Sequence, residues 1–588
     1  MRLRLVRRLA TLSPRSPSVD GGMVADLRLI DGPDAATWLR AADGAAVVAG
    51  SLAAVLVAVV AVVAPALLPT ALSLAVALAL GTWYGVRSLP GLLGTARRSA
   101  ALGLAPTLVA RMALRMRVEP TPEAAVDAGR TLDGPLGAAL DRQVRAAAGT
   151  GRTGLRAFAD AWGTEFPALA RACSLLRAAA TAPAHRRDRA LDRATEAVLD
   201  GTRDRAAAFA SALRGPAAAL YAFGVLLPTA LVGVLPAARA AGVGVGLPLL
   251  AVLYDLVLPC VLCVAGAWLV ARRPVAFPVR PVPRSHPERR PLRRSAAVGL
   301  CAGVAAGSLG WVAVAPWFAP VAAVGAGVGA ALTDRYGPVV AVRERVREVE
   351  RGLPDALSAV GGRVADGTAL ERALAEAADS REGPVGSFLE RGVRRGDRLG
   401  TGVEDSFADA LAALPSDRAA HAVSLFAVAA REGPPAGEPL VRWADHLERL
   451  DEVEREARRD VARVTGTLSN TAGVFGPLVA GVTVGLAGRL AAGTGTAGAG
   501  GDVGAGSGAS SVGGVAPPGT TAGTTLPVEG LGLVVGGYVL WSAAVLPAIA
   551  VGLEAGFDPA VVGRRVGRAL PLAAATFGAA YLLTAAVA

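Results

Sequence analysis

Residues 380–394 read SREGPVGSFLERGVR, and residues 131–145 read TLDGPLGAALDRQVR. Superposing the two Gly-Pro pairs sets Val385, Phe388, Leu389 and Val393 over Leu136, Ala139, Leu140 and Val144. Both sets follow the spacing i, i+3, i+4, i+8, the stripe of an amphipathic helix with one buried face. Gly134 and Gly383 suit the left-handed ending of the preceding helix. Pro135 and Pro384 suit the first turn of the next, where a missing N–H costs nothing. These four residues are read as the corner of a repeated helical unit.

The likeness extends outward from the corner. Upstream, Thr368-Ala-Leu-Glu371 has the pattern of a capping box, and Thr121-Pro122-Glu123 puts an N-cap and a first-turn proline at the matching place. Downstream, RACSLLRAAA at 171–180 matches HAVSLFAVAA at 421–430, one residue out of the earlier register. The second copy ends in a stripe of Leu447, Leu450, Val453, Ala457, Val461 and Val464, which predicts a helical stalk running into an apolar span.

Composition identifies the setting of this repeat. The 588 residues are 53% hydrophobic but only 4% aromatic, with 72 Gly. The core must be built from Ala, Val and Leu, which favours helices in contact through small side chains. The expected fold class is all-α, a polytopic helical membrane protein with about nine transmembrane helices and two homologous cytoplasmic helical bundles. The net charge of +12 rests on arginine, because the chain contains no lysine. That excludes a Walker A lysine, a Schiff base and a lysine nucleophile. Four cysteines are too few for a disulfide scaffold, and Cys260 and Cys263, in the run LPCVLCVAG, read as small thiols packed in a membrane helix.

A hydrocarbon core of about 30 Å needs about 20 apolar residues as helix. Runs of that kind predict a hairpin at 45–64 and 66–86, pairs at 217–238 with 245–271 and at 296–314 with 316–333, and single spans at 466–488, 529–552 and 570–588. The implied organisation is an N-terminal segment (1–44), a hairpin (45–86), a first bundle (87–215), a transmembrane pair (216–271), a basic Pro-rich linker (272–295) and a second pair (296–333). A second bundle (334–465), one span (466–490), a Gly/Ser/Thr-rich loop (491–527) and two final spans (528–588) complete it. Arginine marks the inner side. MRLRLVRR, both bundles, the linker and GRRVGR at 563–568 all fall on one side when the N-terminus is cytoplasmic, which puts the C-terminus outside. The loop then lies outside as a flexible tether of roughly 30–35 Å mean span. Residues 1–44 hold no continuous apolar run of the signal-peptide kind.

The pattern RGLPDALSAVGGRVADGTALERALAEAA, followed by GPVGSFLERGVRRG and a span containing GVFGPLVAGVTVGL, resembles the type II secretion system F domain family. Copy two carries the resemblance best; copy one replaces the leading Leu-Pro segment with LAPTLVARMALRMRVEP. Two fused copies with many spans look most like the archaeal type IV pilus or archaellum platform. The resemblance implies a non-enzymatic anchor in the cell membrane that couples a cytoplasmic secretion ATPase to the insertion or extraction of pilin-like subunits. It also implies a homo-oligomer, a dimer, among membrane lipids.

Five charged residues just after the second corner, Arg394, Arg395, Arg398, Glu404 and Asp405, are candidates for the ATPase-contact face, with a plain solvated face as the alternative. Asp255, inside LPLLAVLYDLVLPC, is the intramembrane candidate. Its alternative reading is an interfacial carboxylate paired with Arg239. The linker at 272–294 reads either as a contact for anionic headgroups or as a spacer. His185, His286, His421 and His446 are too scattered for a metal site, no cofactor is expected, and nucleic-acid binding is disfavoured by the paucity of aromatics. A secondary transporter using Asp255 is the rival class, although the repeat recognised here lies in the polar bundles rather than in the spans.

Overall fold

The computed structural model describes residues 33–63, 68–149, 153–240, 246–273, 286–499, 528–556 and 558–587, together with positions 10, 11, 23, 282 and 283. Every regular element among them is helical. Helix α1 (Ala35–Val63) and helix α2 (Leu68–Gly103) pack as an antiparallel pair. Two indoles fix their register: Trp38 Nε1 donates to the Val86 carbonyl at 2.8 Å, and Trp83 Nε1 donates to Asp43 at 2.9 Å.

The first bundle comprises α3 (Ala105–Val118), α4 (Pro122–Arg130), α5 (Pro135–Ala147), α6 (Gly154–Gly163), α7 (Pro167–Thr181) and α8 (Ala184–Tyr221). Leu108, Met112, Leu136, Leu140, Phe158 and Leu176 are fully buried at its centre. Helix α8 passes through a π turn (Ala222–Leu226) into the apolar α9 (Leu227–Ala240). The short α10 (Leu247–Ala251) continues through a second π turn (Val252–Val257) into α11 (Leu258–Ala271).

Next comes α12 (Leu292–Ala313), which lies on the first half of α13 (Ala319–Ala365). Gly299, Gly303 and Gly307, one turn apart, face Ala323 and Gly327 so closely that a Cβ on Gly299 would stand 2.7 Å from the Gly327 carbonyl oxygen. Small residues at this spacing let two backbones approach and maximise dispersion where water exclusion supplies no drive. The sequence reading separates a span ending near residue 333 from the polar region after it. Both lie on one helix: α13 runs for 47 residues, Pro338 and Pro354 included, and its second half is the first helix of the second bundle.

That bundle continues with α14 (Leu370–Asp379), α15 (Pro384–Leu399), α16 (Val403–Ala413), α17 (Asp417–Glu432) and α18 (Gly437–Asn470). Its core includes Leu353, Leu357, Phe388, Leu389 and Phe426, all fully buried. The stalk expected from Leu447 onward is present: α18 enters α19 (Gly476–Ala499) through a third π turn (Thr471–Phe475). Helices α20 (Val528–Ala555) and α21 (Pro559–Val587) end the described chain. The first part of the Gly-rich segment thus extends α19, and residues 500–527 lie outside the described residues.

Eight helices among the described residues are long and apolar enough to cross a membrane, the pattern of a multi-pass membrane protein. The expected count is nine. Residues 64–67 and the side chains of 68–80, which make up most of the run 66–86, lie outside the described residues.

The two bundles share one plan. Gly134 and Gly383 both sit at positive φ, 124° and 89°, with extended ψ. This is the glycine-only region rather than the left-handed helical ending expected from the sequence. The second glycine of each GPxG carries a further constraint: a Cβ on Gly137 would fall on the Leu132 carbonyl oxygen, and one on Gly386 on that of Arg381. In the register that superposes the corners, the π turn at 222–226 also falls on the one at 471–475, and Gly-Val-Leu-Leu-Pro228 falls on Gly-Val-Phe-Gly-Pro477. The repeat therefore reaches into the apolar helices, beyond the polar bundles where sequence reading placed it. The divergent start of copy one is α3 itself, whose buried Leu108, Val109, Met112 and Met116 match Ala356, Leu357, Val360 and Val364 in a register one residue off that of the corners.

One cap differs from expectation. Thr121 accepts from Ala124 N at 3.2 Å, as the sequence implies, but Thr368 does not cap α14, which begins after Ala369 with no side-chain cap. Thr368 N–H instead bonds the Arg363 carbonyl at 2.9 Å, and Gly367 stands at φ 91°. These bonds close the end of α13 as a Schellman motif and take Thr368 out of capping position.

The close approach at the corners yields a test. Gly137→Ala and Gly386→Ala each destabilise the purified full chain by about 1–3 kcal/mol in thermal or denaturant unfolding, because backbone must move. Gly362→Ala, where an added Cβ meets nothing within 4 Å, leaves stability unchanged or slightly raised.

Candidate functional site

The expected contact face lies on α15 and the start of α16. Phe407 packs directly over Gly392, where a Cβ would collide with its ring, and this brings the two helices together. Arg395 crosses that seam to pair with Asp409, and Arg394 pairs with Glu390 on its own helix at 3.0 Å. Arg398, Glu404 and Asp405 are exposed. The two acids stand in the first turn of α16, where they complement the positive end of the helix dipole. The five residues are thus neighbours, but they form a mixed-charge surface in which Arg395 holds two helices together.

Asp255 is part of the π turn between α10 and α11 and faces α20. Gly537 makes room for it: a Cβ there would lie 2.8 Å from Asp255 Oδ1. The side chain of Arg239, its expected alternative partner, lies outside the described residues. Next to Asp255, Tyr254 and Tyr538 meet edge to face with ring centroids 5.5 Å apart. Tyr254 donates to the Pro228 carbonyl at 2.6 Å, and Tyr538 donates to the Gly224 carbonyl. Proline at 228 has no N–H for the carbonyl four residues earlier, so the Tyr538 hydroxyl supplies the missing donor.

The basic linker is docked rather than free at its end. His286 is buried with Nε2 3.3 Å from the Ala413 carbonyl, and Glu288 pairs with Arg345 at 2.6 Å. Residues 274–281, 284 and 285 lie outside the described residues.

The most concentrated chemistry is at the seam between the bundles. Helices α8 and α18 lie side by side, burying Leu199, Leu450 and Val453. Arg203–Glu456 at 3.0 Å and Arg449–Glu196 at 3.5 Å flank this contact. Beside it, α3, α13, α17 and α18 line a cavity of about 910 Å³ that opens to solvent. Ser416, the N-cap of α17, accepts from Ala419 N at 3.1 Å and donates to Glu350 of α13 at 2.5 Å. Arg418 pairs with buried Glu454 of α18, which also holds Arg458 at 2.9 Å. Burial opposes the charge of Arg418, but Glu454, Glu350 and Asp451 outweigh it and hold the guanidinium above its ordinary value. Arg111 is held below its ordinary value by burial, against the pull of Asp417 and Asp133. The His421 ring stands edge to face with Trp443 at 4.4 Å. Burial, then the charges of Arg111 and His446, push its pKa down to about 3.

Sequence reading missed this seam. Its members come from four helices far apart in the chain, and each charge alone looks like part of a solvated face. His421 and His446 offered the available signal: both lie on apolar stripes, where a histidine must be buried or paired. No protein-family model matches the chain, and no curated protein or solved structure matches it either.

The buried neutral histidine sets a pH dependence. The unfolded chain takes up a proton at residue 421 below about pH 6.5, whereas the folded ring refuses it until about pH 3. Stability therefore falls as the pH drops through this window, by up to about 1.4 kcal/mol per pH unit from this group. His421→Gln reduces the dependence, measured as midpoints of denaturant unfolding between pH 7.5 and 4.5, without removing it, because burial and then Arg418 and Arg449 push His446 down to about 3 as well.

Proposed function

We propose that the chain is a non-enzymatic platform in the cell membrane that anchors a type IV pilus-like assembly machine and couples a cytoplasmic secretion ATPase to insertion or extraction of pilin-like subunits. The observation that carries this reading is the duplicated unit in which a helical bundle continues, by one unbroken helical path with a π turn at the same place, into an apolar span. Such a path moves bundle and span together, as a coupling device requires. In this reading both bundles and the N-terminus are cytoplasmic, the C-terminus is external, nine spans cross the bilayer, and the working form is a homodimer among membrane lipids. Arg398, Glu404, Asp405 and Arg394 form the ATPase-contact face.

A transporter built around Asp255 is the second reading, supported by the carboxylate seated against Gly537 in a π turn, a feature frequent at functional sites. A tagged full chain recovered from solubilised membranes separates the two. The platform reading expects a secretion ATPase to co-purify and to fall at least ten-fold in the Arg394→Glu/Arg398→Glu variant. Arg395 is left intact because it ties α15 to α16. Recovery of no ATPase with folded protein, together with loss of solute uptake in Asp255→Asn, overturns the platform reading in favour of transport.

A further inference from the structure

The cavity at the bundle seam has a chemical bias. Its inner carboxylates are already served: Glu454 holds Arg418 and Arg458, Glu350 accepts from Ser416, and Asp451 pairs with Arg455 at 2.9 Å, whereas Asp133, Asp417 and Glu432 are exposed. The buried side-chain atoms on its walls that lack a hydrogen-bond partner among the described residues are all nitrogens. The donors among them include Arg111 Nε and Trp443 Nε1. Arg347 lines the same space with no salt bridge among the described residues. A buried donor left without an acceptor costs about 1–3 kcal/mol, so several at one cavity represent a standing demand for acceptor oxygens.

A cavity of about 910 Å³ is the size of an organic-ligand site, and Leu104, Leu114, Val346 and Val428 give it apolar walls beside the charged ones. We propose that this cavity binds a phosphate-bearing organic anion, whose oxygens face Arg111 and Arg347 while its body lies on the apolar walls. Phosphate fits better than carboxylate because the donors come from different helices. A phosphoryl group presents three oxygens in divergent directions, each able to accept a charge-assisted bond from a guanidinium. The source is either a soluble nucleotide-like molecule or a lipid headgroup, since the same oxygens are offered by both. Either way the ligand bridges the bundles and tightens their seam. This inference is independent of the platform reading.

The full chain in phosphatidylcholine nanodiscs is titrated with adenosine triphosphate, inorganic phosphate and adenosine, and its melting is compared with that in nanodiscs containing phosphatidylglycerol. A soluble ligand appears as adenosine triphosphate binding at least ten-fold more tightly than adenosine. A headgroup ligand appears as a rise in melting temperature with phosphatidylglycerol. In either case the effect drops at least ten-fold, or disappears, in Arg111→Gln/Arg347→Gln and also in Ser424→Phe, which fills the cavity without removing a charge. Circular dichroism checks that each variant is folded. The proposal is overturned if neither phosphate source acts on the folded wild-type chain, or if the variants respond as the wild type does.

Discussion

An α-helix satisfies its own backbone, so it is the one element that passes from a polar bundle into an apolar layer without orphaning a hydrogen bond. The architecture depends on two such passages, through α8 into α9 and through α18 into α19. Each contains a proline at its apolar start, Pro228 or Pro477, and each meets the lost bond with a π turn just before it. In the first passage the Tyr538 hydroxyl serves the carbonyl that Pro228 leaves without a donor. The helical path stays continuous, and its π turn is supported from a neighbouring helix. A bend placed there redirects the span without detaching it from its bundle.

The duplicated plan gives two units with one geometry and different surroundings. The corner is the most constrained part of each, because the second glycine of GPxG sits against a carbonyl oxygen five residues earlier. No other residue type permits that approach, which explains why the pattern survives where neighbouring side chains have diverged. Between the units the chemistry is no longer duplicated. One copy offers Arg111 on α3, whereas the other offers Glu350, Arg418, His421 and Glu454. A buried charge pair repays its desolvation only with good geometry and further hydrogen bonds. Glu454 has two arginine partners and Glu350 has the N-cap serine, whereas Arg111 has attraction without a bonded acceptor at Nε. The seam is consequently where the fold is least self-sufficient.

Much of the architecture is legible in the chain because its signals are local. The stripe of Val385, Phe388 and Leu389 is buried, as its period requires, and the stalk through Leu447, Leu450 and Val453 is helical. Thr121 caps its helix because nothing else competes for it, whereas Thr368 is drawn into closing α13 one turn earlier. The change of composition near residue 333 falls inside one helix, α13, because a change from apolar to charged residues alters what surrounds a helix and does not end it.

The candidate face shows the same division. Arg394 and Glu390 meet at the four-residue spacing visible in the chain, but the crossing from Arg395 to Asp409 depends on Phe407 lying over Gly392. By itself the sequence determined an all-helical, repeated, membrane-spanning chain, because helix period, glycine corners and apolar length are properties of consecutive residues. Only the tertiary structure decided that Asp255 faces Gly537, that Glu454 gathers two arginines, and that Arg111 is left facing a cavity. Those contacts join helices distant in the chain, and their existence rests on how whole helices pack, which no short stretch of residues encodes.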